Sequence, residues 1–157
     1  MNIALFVIAI TVLVIATYTD IKDGTVPNVV VLPAICLGLI LQLFHLSFWD
    51  YVIRLVLIFA TFYFYEGFIG GGDAKLFMML IITQGPYKAL ATLGLASLMI
   101  VGYTIYKNPK NALEDIKAQI LALLTKTTSS FKNQGGTIKL SPLMLAGYLI
   151  TLLIFGI

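Results

Sequence analysis

The stretch Gly70-Gly71-Gly72-Asp73-Ala74-Lys75-Leu76-Phe77-Met78-Met79-Leu80-Ile81-Ile82-Thr83-Gln84 decides the fold. Two charges stand at the head of an unbroken apolar run, with glycines behind them. Between Lys75 and Gln84 there is room for about ten helical residues, roughly 15 Å, or half of a ~30 Å hydrocarbon core. Irregular backbone at membrane depth survives only where protein or water satisfies its polar groups. The glycine-rich turn is therefore expected to dip into the membrane and face a wet cavity, with local thinning of the bilayer as the rival explanation.

Outward from this run lie five more apolar segments, at 3–18, 29–46, 51–64, 89–106 and 143–157. Most approach the ~17–25 residues of a spanning helix. Composition agrees: of 157 residues, 60% are hydrophobic and 11% charged, against about 25% charged in soluble domains. The pattern predicts an all-α, polytopic helical bundle of about six transmembrane helices, one of them short, in a single domain over 1–157. The net charge of +3 is too small to suggest a nucleic-acid partner. The first apolar run has no basic residues ahead of it and no small-residue cleavage pattern behind it, so it is expected to be retained as a span. Cys36, the one cysteine, excludes a disulfide framework and is expected to be a small buried hydrophobe.

Cations set the orientation. With the N-terminus outside, the inner loops hold Lys22, Lys75, Lys107, Lys110, Lys117, Lys126, Lys132 and Lys139, while Lys88 and Arg54 lie toward the outside. That bias follows the positive-inside rule. Trp49 and Tyr51 are expected to anchor the outer interface. In the long connection 107–140, Leu113, Ile116, Ile120, Leu121 and Leu124 recur at helical spacing opposite Glu114, Lys117 and Gln119. This predicts an amphipathic helix on the inner surface, followed by a mobile Thr/Ser/Gly-rich loop.

Asp20 ends the first apolar segment and Asp73 opens the fourth. Two spans separate them, so they share a membrane face whichever way the chain is threaded. Alone, Asp20 reads as a solvated helix end and Asp73 as an N-cap. Together, beside a half-length helix and a glycine run, they suit aspartyl protease chemistry, in which one carboxylate activates water and the other polarises the carbonyl. Glycines would let backbone and substrate approach closely. The pair Asp20 and Asp73 are the candidate catalytic residues.

The stretch Gly70-Gly71-Gly72-Asp73-Ala74-Lys75 resembles the GxGD motif, with its lysine two residues on, of the type IV prepilin peptidases and their archaeal preflagellin relatives. The stretch from Asp20 to Pro27-Asn28 is similar to the other family signature, and Lys139-Leu140-Ser141-Pro142-Leu143 is similar to the family's proline-containing last span. The resemblance implies catalysis by Asp20 and Asp73, with Gly70, Gly72, Lys75, Pro27 and Asn28 as supporting motif positions. It also implies cleavage of the short basic leader of prepilin-like or archaellin-like precursors, in a prokaryotic cytoplasmic membrane, with the site facing the cytoplasm. No cofactor or metal is implied. The cysteine-rich methyltransferase part of the common bacterial enzymes has no counterpart here, so N-methylation is not expected.

Asp23 competes with Asp20 by position, but Asp23-Gly24 reads as a turn followed by an Asn28 helix cap. Glu66 and Asp23 are weak candidates for binding a basic substrate. Lys75 suits either pairing with an aspartate or marking the inner boundary. Gln42 and Arg54 could pair near the outer end. Two other readings stay open: a presenilin-like GxGD protease cutting within the bilayer, and a non-enzymatic membrane subunit or transporter component that binds a cation through Asp20 and Asp73.

Overall fold

The computed structural model describes residues 3–68, 71–107 and 140–156. Among them the chain is all-α, with six helices: α1 (Ile3–Asp23), α2 (Asn28–Leu43), α3 (Phe48–Phe68), α4 (Gly71–Gln84), α5 (Pro86–Lys107) and α6 (Leu140–Phe155). The expected surface helix and mobile loop of 107–140 fall almost wholly outside the described residues, as does Gly70.

The short helix is the centre of the bundle. α4 packs against each of the other five helices, and every residue from Leu76 to Thr83 is buried. A helix apolar all round needs that enclosure. Its 14 residues span about 21 Å at 1.5 Å per residue, and they touch neighbouring helices in place of the surroundings. Gly71 and Gly72 are the first turn of this helix. Gly71 and Gly72, expected to lie in a turn, are thus helical.

α2 is built the opposite way from a helix of a water-soluble protein. α2 buries Val31, Ala34, Gly38 and Gln42 and exposes Val29, Leu32, Leu37, Ile40 and Leu43. Small and polar residues thus face inward while large apolar ones face out, the pattern of helix association in lipid. Cys36 lies exposed on this helix, contrary to its expected burial: in such a bundle an apolar run has an outward face that prefers lipid to the core. α1 and α5 are long and apolar enough to cross a membrane, while α2 and α6 are shorter apolar helices. These features mark a membrane protein.

Close backbone approach fixes the packing. A methyl group at Gly147 of α6 would stand 2.8 Å from the Thr92 carbonyl oxygen of α5. Thr92 and Thr151 add a hydrogen bond of 3.3 Å between the same two helices. At the far end of α4, Arg54 Nη1 donates to the Ile82 carbonyl at 2.7 Å and Gln42 Nε2 donates to the same oxygen at 3.1 Å. Gln42 and Arg54 therefore converge on one acceptor. The last carbonyls of a helix lack intrahelical partners and carry negative dipole charge, so an arginine and an amide are suited to close a helix that ends inside a bundle.

Candidate active site

Asp20 and Asp73 are delivered to one region by α1 and α4. α1 continues past the apolar run, so Asp20 sits in its last turn. The helix stops at Gly24, whose amide donates to the Asp20 carbonyl at 3.0 Å and whose φ is +68°. That left-handed conformation suits glycine, and it turns the chain toward α2. The expected turn at Asp23-Gly24 is present. Asp23 itself is exposed.

The returning segment packs on the head of α4. A methyl group at Gly72 would lie 2.7 Å from Val26 Cγ2 and 3.0 Å from its Cβ. Valine is stiff at χ1, so only glycine fits. Three residues on, Lys75 Nζ donates to Asn28 Oδ1 at 2.6 Å. The motif residues Gly72, Lys75 and Asn28 are thus joined through one interface, and Asp73 stands in the first turn of α4 between the two contacts.

Asn28 departs from expectation. Pro27 is the residue preceding α2 and forms no side-chain cap; its carbonyl receives the amides of Val30 and Val31. Asn28 is already helical, and its side chain is taken by Lys75, so it holds two helices together and caps neither. Asp73, which taken alone reads as an N-cap, lies within the first turn of α4, where a carboxylate meets the positive end of the helix dipole.

The electrostatics link the two carboxyl groups. Asp73 lies ahead of the apolar run and outside the two candidate spans. Burial first, and the Asp20 charge second, push its carboxyl up to about 6. The Asp20 charge therefore reaches the Asp73 carboxyl.

One residue here was not singled out in the sequence. Ser141, fully buried in the first turn of α6, donates from Oγ to Asp20 Oδ2 at 2.5 Å. Its carbonyl accepts from Thr17 Oγ1 at 3.3 Å. A lone serine ahead of an apolar run carries no periodic signal; its neighbour Pro142, a residue favoured at helix starts, was the available hint. Of the weaker candidates, the Glu66 side chain lies outside the described residues.

Residues 7–105 match the sequence model of the type IV leader peptidase family. That span includes Asp20, Pro27, Asn28, Gly72, Asp73 and Lys75. No curated protein and no solved structure matches the chain.

Proposed function

The chain belongs to the type IV leader peptidase family, and on that premise we propose that Asp20 and Asp73 are the catalytic dyad of a membrane aspartyl endopeptidase. Its substrates are prepilin-like or archaellin-like precursors, from which it removes a short basic leader. The observation that carries this reading is the junction of the two motif segments. Gly72 lies against Val26, Lys75 is bonded to Asn28, and the carboxyl between those contacts feels the charge of Asp20.

The chemistry needs only those two groups and a water. One carboxylate takes a proton from the water as its oxygen bonds to the scissile carbonyl carbon. The other carboxyl donates its proton to the carbonyl oxygen. Collapse of the tetrahedral species breaks the C–N bond, and the first carboxyl passes its proton to the departing amine. The second recovers its own from the former carbonyl oxygen. No covalent enzyme intermediate forms.

The proposed topology has six membrane-embedded helices in one domain, with the N-terminus outside and the dyad at the cytoplasmic boundary. The lysine bias supports this orientation. The 16-residue helices α2 and α6 reach about 24 Å, a mismatch that local thinning of the bilayer accommodates. α4, enclosed by its neighbours, has no need to span. A leader that ends where a precursor's apolar helix begins lies at this boundary.

The test is reconstitution of the purified chain with a pilin-type precursor in lipid vesicles, followed by mass determination of the product. One cut between the basic leader and the apolar helix is expected. A precursor left intact, or cut within its apolar helix, would contradict the assignment.

A further inference from the structure

Resting on the aspartyl reading of this site, we propose that Ser141 is a positioning residue for Asp20. It holds Oδ2 as an acceptor and so sets the orientation in which the Asp20 carboxylate meets water and the scissile carbonyl.

The hydroxyl of Ser141 is used differently from other hydroxyls of the bundle. Thr61, Thr83, Ser97 and Thr104 each donate to the carbonyl four residues back in their own helix, the usual use of a hydroxyl inside a helix. Ser141 stands in the first turn of α6. Its proton goes across to α1, to Asp20. Thr17, one turn before Asp20, returns a bond to the Ser141 carbonyl, so α1 and α6 are clasped at two points.

Neighbouring residues set the backbone that carries this serine. Pro142 fixes its own φ beside Ser141, and Gly147 sets the α6 backbone against Thr92 of α5. A fully buried donor on such a backbone costs free energy unless its acceptor is in place. The bond therefore holds the Asp20 carboxylate in one orientation.

A hydroxyl donated to a carboxylate makes a charge-assisted bond, stronger than one between neutral groups. The other titratable groups on helices packed against α1 are Lys75 on α4, Cys36 on α2 and Tyr148 on α6, and α1 itself carries Tyr18, Lys22 and Asp23. Of these, Lys75 is engaged by Asn28, Cys36, Tyr18, Lys22 and Asp23 are exposed, and Tyr148 is two turns along α6 from Ser141.

The experiment compares wild type, S141A, S141T, D20N and D73N on a pilin-type precursor, with kcat and KM measured across pH and folding checked by thermal denaturation in detergent. S141A is expected to lose roughly ten- to a hundredfold in kcat, the worth of a hydrogen bond to a charged group, with KM little changed. S141T, which keeps the hydroxyl, recovers most of the rate. Wild-type kcat in S141A, with D20N and D73N inactive, would overturn the role of Ser141 alone. A kcat loss with no recovery in S141T would also overturn it, since that is a packing defect. Activity in D20N or D73N would overturn the dyad itself.

Discussion

Lys75, in the second turn of α4, donates to Asn28 at the head of α2 at 2.6 Å, across 47 positions of sequence. The bond closes the junction in which Asp73 sits. It also gives a physical reason for a lysine two residues after the aspartate: at that offset its chain reaches the neighbouring helix start.

Because both groups face solvent, their bond is expected to contribute little stability, about 1 kcal/mol or less. K75A and N28A should each lower thermal stability slightly, and the double variant should lose less than the sum of the two. Strict additivity in this double-mutant cycle would show that the two side chains are not coupled.

G72A tests the packing of α4 on the returning loop. In an exposed helix, Gly→Ala stabilises by about 1 kcal/mol. Here the added methyl meets Val26, and overpacking of this kind costs about 1–3 kcal/mol. The net change is expected to be destabilising, with loss of cleavage, and V26A in the same chain should restore part of both. A stabilised, fully active G72A would refute the contact.

The legible part of the architecture follows from these same residues. Long apolar runs have no alternative to helices in a membrane, so the helices were predictable, while their ends were not. α1 runs to Asp23, because polar residues extend a helix past the lipid edge as readily as they end it, and α3 begins at Phe48, just after Ser47, whose hydroxyl accepts the Asp50 amide. The shared location of Asp20 and Asp73 followed from span parity. That α4 is enclosed on all sides did not, since an apolar octet looks the same beside lipid as beside protein. Cys36 failed for the same reason. Ser141 and the shared acceptor of Gln42 and Arg54 depend on which helices neighbour one another, which one sequence does not encode in any local pattern.

The Asp73 carboxyl gives a pH prediction. Its value of about 6 lies above the ordinary 3.8, so between these the folded chain binds more protons than the unfolded one. This group's contribution to stability is therefore present at low pH and is lost as pH rises through about 6. Infrared titration of the substrate-free protein should show a carboxyl band disappearing near pH 6 that D73N lacks. In D20N the midpoint should fall but stay above 3.8, because burial is the larger cause. A midpoint unmoved by D20N would mean that the two groups do not interact.

At the opposite end, R54L leaves the Ile82 carbonyl with Gln42 alone. The expected loss is about 1–3 kcal/mol, the cost of a hydrogen bond to a charged donor. R54L/Q42L should lose more than either single variant, since the buried oxygen then has neither side-chain partner. Thermal denaturation in detergent measures both. Because this end of α4 is remote from Asp73, folded R54L should keep its cleavage rate at low temperature.

The most direct test is cleavage of a pilin-type precursor by D20N, D73N and D23N, each verified as folded and inserted in the membrane. The dyad account predicts that D20N and D73N each lose at least about a hundredfold in rate, within the range of general acid–base catalysis, while D23N stays close to wild type. Processing at the wild-type rate by either D20N or D73N would contradict it.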